Sequence, residues 1–301
     1  MYFPTPNIPQ EKKRELGNWP VIVPRGIQKD GIWIPKRFSD VILLHIAKNY
    51  TSSLNPALIL AIQGKAGNGK SFQVRETCSQ LGVYVVPLSG ALLSGRYEKD
   101  AVEILQKAYI FASLVRYEVR RMTILLIDDF DLSVASTFQG VTYTVNSQLL
   151  SGFLMNLTDD PTKCGSETTY RIPIIVTGND FTALHAPLTR HGRMYFFEWE
   201  PTLQEKVEIV SAIFQSVLNH YELGKLQDFV RRYSDQPISF FASLKEDLID
   251  EAILQLIERE REINASSIER LVPRILRNQT IEALEALAVN RQSAIARNFL
   301  G

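Results

Sequence analysis

Cysteine is nearly absent: Cys78 and Cys164 are the only two in 301 residues. With no Cys-x-x-Cys pair, neither a zinc ribbon nor a disulfide framework can be built, and a reducing compartment is the setting that fits. Histidine is scarce as well. His45, His185, His191 and His220 are scattered without metal-ligand spacing, which leaves packing as their expected role. Neither sign of charge is in excess, because 33 Lys+Arg balance 33 Asp+Glu, so no global field draws the chain to nucleic acid or to an anionic membrane. Long apolar runs are missing too. Stretches such as Ala57–Ile62 and Ile124–Ile127 are a third or less of the ~20 residues a spanning helix needs, and Met1–Lys13 lacks the apolar centre of a signal peptide. The expectation is a soluble, cytoplasmic chain with neither nucleic acid nor membrane as partner.

What is present is ordinary globular composition, 45% apolar and 22% charged. The proline-rich opening, up to residue 34, reads as an extended arm. From Phe38, apolar residues at Val41, Ile42, Leu44, Ile46 and Ala47 follow a helical period that Ser39 or Asp40 can cap. Five short apolar runs of strand length come next: Leu58–Ile62, Val83–Leu88, Thr123–Ile127, Ile172–Thr177 and Tyr195–Trp199. Helical patterns separate most of them, Phe72–Leu81 closed by Gly82, then Ala101–Arg121, then Asn146–Leu157. This alternation predicts a five-stranded, parallel, doubly wound α/β domain over residues 35–200. After Pro201 the strand signals stop. Thr202 can cap a helix whose apolar positions Leu203, Val207, Val210, Ile213, Phe214 and Val217 recur at three and four, and similar stripes run through Leu248–Ile257 and Ile268–Leu287. A helical second domain over residues 201–301 is expected.

The strongest chemical signal follows the first strand. Gly64-Lys65-Ala66-Gly67-Asn68-Gly69-Lys70-Ser71 matches GxxxxGK[ST] in the strand-loop-helix setting that a phosphate-binding loop demands. The glycines let backbone N–H groups point at phosphates, the helix that opens toward Phe72 adds its positive end, Lys70 supplies a cation, and Ser71 can hold Mg²⁺. ATP and Mg²⁺ are therefore the expected ligands. The strand 123–127 runs into Asp128 and Asp129. Carboxylates at the tip of a buried strand fit a metal-side residue, Asp128, and a residue that polarises the attacking water, Asp129, although acids after a strand are also common turn formers. At the end of the fourth run, Asn179 can position water near the γ-phosphate or merely form a turn. Arg190 and Arg193 precede the fifth run, where guanidinium groups can stabilise charge on a transferring phosphoryl or stand solvated at the sheet edge. Arg116, Arg120 and Arg121 read as a solvated helix face, with positive charge facing a pore or a partner surface as the alternative.

In this order, P-loop, paired acids, strand-tip Asn, arginines and a helical lid, the chain resembles the AAA+ ATPases. The strings GKSFQ (69–73), TYTVNSQL (142–149), LMNLTDDPT (154–162), PIIVTGNDF (173–181) and APLTRHGRM (186–194) resemble, more narrowly, Rubisco activase, over roughly residues 35–290. The resemblance implies a hexameric ring that uses ATP to loosen Rubisco closed on inhibitory sugar phosphates. It makes Asn179 sensor 1, lets Arg190 and Arg193 act on a neighbouring subunit's ATP, and has the ring thread a large-subunit tail of the Rubisco holoenzyme through its pore. Leu92, Leu93, Ser94, Gly95, Arg96 and Tyr97 would form one pore loop, and the segment 133–142, with Phe138 and Gln139, a second. Adenine would lie between the helix 41–50 and the lid near Phe240. Lys245 stands where the family has its sensor 2 arginine, keeping the charge and losing the planar fork. No plant-type N-terminal recognition domain and no segment resembling the Rubisco small subunit are visible, so the resemblance is to the cyanobacterial branch, with carboxysome association as a further implication. A scaffold that clusters Rubisco without remodelling it is the alternative. A DNA-processing AAA+ protein is disfavoured by the neutral charge.

Overall fold

The computed structural model describes residues 2–26, 31–94, 100–131, 145–182, 184, 186–259 and 279–298. The chain divides into two compact units, residues 1–28 with 36–200, and 29–35 with 201–301.

The first unit is built on five parallel strands: β1 (Ile59–Gln63), β2 (Tyr84–Ser89), β3 (Thr123–Asp128), and, after a short hairpin of β4 (Lys163–Cys164) with β5 (Glu167–Thr168), β6 (Ile174–Gly178) and β7 (Met194–Glu198). Their order across the sheet is β2-β3-β6-β1-β7, all neighbours being parallel. The three central strands are buried along nearly their whole length, which is why they read as unbroken apolar runs: a sheet covered on both faces has no solvent side to demand alternation. β7 is an edge strand, and its Tyr195 and Phe196 are exposed. The helices of this unit are α1 (Gln10–Leu16), α2 (Lys36–Tyr50), α3 (Lys70–Leu81), α4 (Asp100–Val119) and α5 (Val145–Asp159). Helix α2 buries Phe38, Ile42 and Ile46 on one stripe. Helix α3 stops at Gly82, whose left-handed backbone lets its N–H reach the carbonyls of Cys78 and Ser79.

The N-terminal residues depart from the extended arm expected over 1–34. They form the seven-residue helix α1, bury Ile8 and Leu16 in the core, and make an antiparallel bridge from Ile22 to Val85 on the outer strand β2. An edge strand offers unpaired N–H and C=O groups, and this segment covers part of them. Its signal in the sequence is weak because one bridge needs no alternating run. Lys29–Pro35 groups with the second unit instead.

The second unit contains α6 (Leu203–Phe214), α7 (His220–Arg232), α8 (Ile238–Arg259) and α9 (Ile281–Asn298). Helix α6 starts in a full capping box, the Thr202 hydroxyl accepting from Glu205 N–H while the Glu205 carboxylate accepts from Thr202 N–H. Val210, Phe214, Phe229, Phe241, Leu244 and Leu284 are fully buried together, at about 1.5–3 kcal/mol per side chain removed from water. Helix α7 was not read from the sequence; it buries Leu226, Phe229 and Val230, with Leu223 packed against the same core. Its buried Glu222 accepts the Ile281 N–H at 2.8 Å, capping α9 from a neighbouring helix. Of the predicted helical stripe 268–287, residues 268–278 lie outside the described residues and the remainder includes the first turns of α9.

Candidate functional site

In an all-parallel sheet the strands share one C-terminal edge, and three of the predicted motifs leave from it. The P-loop follows β1, the acids end β3, and Asn179 follows β6, the strand lying between those two. Crevices at the carboxyl ends of such strands are where ligands bind in open α/β sheets.

The loop is held from below. Gly64 has φ +153, and a Cβ there would sit 2.1 Å from the Trp199 carbonyl oxygen, so only glycine allows this approach. Trp199, fully buried at the end of β7, donates its N–H to Gln63 O at 2.7 Å and its indole N–H to Asn68 O at 2.9 Å. The Phe38 ring stands edge-on to the indole at 4.8 Å, and the Arg37 guanidinium lies 4.7 Å from its centre. Trp199 closes the fifth predicted strand, and its clamp on the loop was not read from the sequence.

Lys70 opens α3 and is largely buried. Its ammonium donates to Gly64 O at 2.6 Å and Lys65 O at 3.1 Å, and to Asn179 Oδ1 at 3.2 Å. Burial lowers its pKa from the ordinary lysine value, while Asp131 and Asp129 pull it back up. With Oδ1 turned to Lys70, the exposed Asn179 keeps its NH₂ group for another acceptor. Its backbone N–H donates to Asp131 Oδ2 at 2.8 Å, and the other Asp131 oxygen is buried without a hydrogen-bond partner among the described residues. Asp131 thus fixes both the strand-tip Asn and, by its charge, Lys70.

Thr177 joins the two motifs. Its fully buried hydroxyl lies 3.2 Å from Asp128 Oδ1, 3.1 Å from Ser71 Oγ and 3.3 Å from Asp129 N. A hydroxyl has one proton and two lone pairs. The carboxylate and the amide fix the assignment: Thr177 donates to Asp128 and accepts from the Asp129 N–H, so Ser71 must donate to Thr177. The Ser71 lone pairs are thereby turned away from Thr177 and are available to a cation. Asp128 Oδ2 accepts from Arg75 Nη2.

Asp129 is exposed, has φ +54, and among the described residues its carboxylate makes no hydrogen bond or ion pair. Aspartate tolerates this left-handed region better than most residues. Gly90, at the end of β2, permits the turn: a Cβ there would meet the Asp129 carbonyl oxygen at 2.2 Å. The arrangement offers a cation and amides for phosphate, a hydroxyl and a carboxylate for Mg²⁺, and a free carboxylate for water. The residues present fit the metal as well as the nucleotide, because the Thr177 pairing leaves Ser71 an acceptor toward it.

Other predicted residues lie elsewhere. Ala66, Gly67, Asn68 and Gly69 complete the loop, Lys65 makes an exposed ion pair with Glu200, and Phe72 points largely to solvent. Arg190 and Arg193 sit at the opposite edge of the sheet, before β7, where Ile59 N–H bonds the Arg193 carbonyl at 3.2 Å. The Arg193 fork holds both Asp159 oxygens, at 3.0 and 2.8 Å, while Arg190 is exposed. Arg116, Arg120 and Arg121 lie at that same edge around a pocket of about 620 Å³ with Tyr50, Tyr117 and Tyr170. Arg116 stacks on Tyr50 and Tyr170, so it is more than a solvated helix residue. Of the expected pore loops, Leu92 is exposed, but Leu93 is fully buried in the core, which corrects its placement as a pore-facing residue: the 3₁₀ turn Gly90–Ser94 turns that side chain inward. Gly95, Arg96, Tyr97, Phe138 and Gln139 lie outside the described residues. In the second unit, Phe240 packs among Tyr233 and Phe241, and Lys245 lines a recess of about 740 Å³ with Ile213, Ser216 and Asn219.

Residues 60–201 match the family described as "ATPase family associated with various cellular activities (AAA)". Together with the strand order and the P-loop, this defines the first unit as an AAA+ ATPase domain. The chain is similar to "Ribulose bisphosphate carboxylase/oxygenase activase" of Anabaena sp., 38% identical over 75% of this chain and 56% of that protein. It is 36% identical to the protein of the same name from Nostoc sp., at the same coverages, and 34% identical to the chloroplastic one of Phaseolus vulgaris, over 76% of this chain and 53% of that protein. The chain is thus Rubisco activase-like in sequence, and it spans little more than half the length of these relatives. No helix among the described residues is long and apolar enough to cross a membrane.

Proposed function

We propose that this chain hydrolyses ATP at the crevice above β1, β6 and β3 and uses the cycle to remodel Rubisco, releasing inhibitory sugar phosphates from its active sites. The observation that carries the reading is that two hydrogen-bonded groups, Lys70 with Asn179 and Ser71 with Thr177 and Asp128, meet at one edge of the sheet, in a chain 38% identical to a protein named for activating Rubisco. The residues Gly64–Phe72 cradle the phosphates, with Lys70 exchanging its loop carbonyls for phosphate oxygens. Ser71 and Asp128 hold Mg²⁺, which when bound neutralises charge on the β- and γ-phosphates. Asp129, exposed and without an ion pair among the described residues, takes the role of polarising the attacking water. The Asn179 amide orients that water or the γ-phosphate.

Arg190 and Arg193 act on a neighbour's nucleotide in this reading. They stand at the N-terminal edge of the sheet, a five-residue strand away from their own P-loop, about 16 Å of backbone, which favours a closed ring, hexameric as in the family, over action in cis. Lys245 serves as the lid's γ-phosphate sensor. Leu92 faces the axial pore that engages the large-subunit tail. The setting is the cytoplasm, with carboxysomes as the site of Rubisco contact.

The test is carboxylation recovery of sugar-phosphate-inhibited Rubisco with this chain and ATP, beside a non-hydrolysable analogue. Recovery with ATP alone supports the remodeller. Rubisco binding with no recovery despite robust ATP turnover would overturn it in favour of a scaffold that clusters Rubisco.

A further inference from the structure

Arg75 lies four residues after Ser71 on α3, so the two side chains share one face of the helix. Its Nη2 binds Asp128 Oδ2, the oxygen that Thr177 does not use, and both carboxylate oxygens of Asp128 are therefore engaged within the chain. Arg231 toward Asp228 and Arg232 toward Glu285 also use one nitrogen, but on carboxylates more exposed than Asp128. Arg193 meets Asp159 with two nitrogens, at 3.0 and 2.8 Å, and Arg291 meets Asp247 likewise, at 2.9 Å each, which is the two-point fork geometry of an arginine–carboxylate pair. Arg75 uses one nitrogen, and its Nε is buried with no hydrogen-bond partner among the described residues. A buried donor left unsatisfied is costly, so this contact is poorly explained as a device for stability. It does bring a positive charge to the place where Asp128, Asp129 and Asp131 gather three carboxylates against one lysine.

We propose that Arg75 is a positioning residue that holds Asp128 in the nucleotide-free protein and competes with the divalent cation for it, so that metal engagement at Asp128 requires the guanidinium to yield Oδ2. This deepens the reading of Ser71 and Asp128 as the metal end of the site and rests on it. Arg75 thereby ties metal entry to nucleotide: the phosphates supply the charge that makes the exchange favourable, and Mg²⁺ alone competes poorly.

The experiment is equilibrium binding of a fluorescent ADP, with Mg²⁺ and with EDTA, to wild type, Arg75→Gln and Arg75→Lys, with nucleotide-free melting temperatures measured alongside. The ratio of the EDTA Kd to the Mg²⁺ Kd is expected to rise about three- to fivefold in Arg75→Gln, the upper part of the range for a part-exposed ion pair, and to stay within about twofold of wild type in Arg75→Lys, which keeps the charge. A lower melting temperature with an unchanged ratio in Arg75→Gln would overturn the proposal and leave Arg75 a structural residue. Binding by wild type that ignores Mg²⁺ would instead overturn the assignment of Ser71 and Asp128 themselves.

Discussion

Thr177→Val removes one oxygen and almost no volume, and the structure specifies what that oxygen does. The hydroxyl is fully buried, donates to Asp128 at 3.2 Å, and accepts from Ser71 at 3.1 Å and from Asp129 N–H at 3.3 Å. The bond to the carboxylate is charge-assisted, a class worth about 1.5–3 kcal/mol, and the two others are long and neutral. The backbone bond from Phe130 N–H to Thr177 O, at 2.8 Å, survives. The expected loss of stability is about 2 kcal/mol, read by urea unfolding of the nucleotide-free protein. The functional loss has a different origin: Ser71 regains a free rotor and Asp128 loses its latch, so the metal end of the site is no longer preset. Weakening one charge-assisted contact of this kind corresponds to a fall of roughly ten- to a hundredfold in kcat/KM for MgATP. Thr177→Ser keeps the hydroxyl and is expected within about threefold of wild type. Full turnover by the valine variant, or a serine variant as poor as the valine one, would refute the assignment of Thr177 as the link.

The arginine geometry predicts complementation: Arg193→Ala and Lys70→Ala chains, each inactive alone, regain ATP turnover on mixing, because one supplies the P-loop and the other the arginine; a mixture as inactive as its parts contradicts action between subunits. His45 is buried in α2 with Nε2–H donating to Ile174 O at 3.2 Å, and burial lowers its pKa to about 4. The unfolded chain binds this proton near pH 6.5 and the folded one only near 4, so stability is lost as pH falls through that window. The loss between pH 7 and 5 is about 2 kcal/mol. His45→Gln, which keeps a donor but does not titrate, flattens the pH dependence by that amount; an unchanged slope in urea unfolding would contradict it.

The sequence disclosed elements whose physics is local or two-sided. The run Leu58–Ile62 and the strand Ile59–Gln63 differ by one residue because a strand buried on both faces is apolar throughout, and the P-loop announces itself because phosphate cradling needs glycines at fixed spacing. Thr177 escaped notice as the last residue of an apolar run. Its role arises only when β6 is placed between β1 and β3, an order that periodicity does not carry. Arg75 and Asp131 are equally silent in one dimension, one resembling a helix surface residue and the other a third acid in a turn. The hairpin β4–β5 is two residues per strand, too short to alternate, and α7 hides its face behind a polar majority. Leu93 shows the reverse error: a pore-loop residue by resemblance, it is drawn into the core by the turn that carries it.

The central claim is that the acids at the end of β3 drive hydrolysis of ATP held by the loop after β1. It is tested by measuring ATP turnover and nucleotide affinity together in wild type and Asp129→Asn. The carboxylate of Asp129 makes no ion pair among the described residues, so the substitution disturbs little else. The account predicts an Asp129→Asn protein that binds ATP as wild type does and turns it over at least about a hundredfold more slowly, the usual scale for losing a general base. Wild-type turnover in that variant would contradict it.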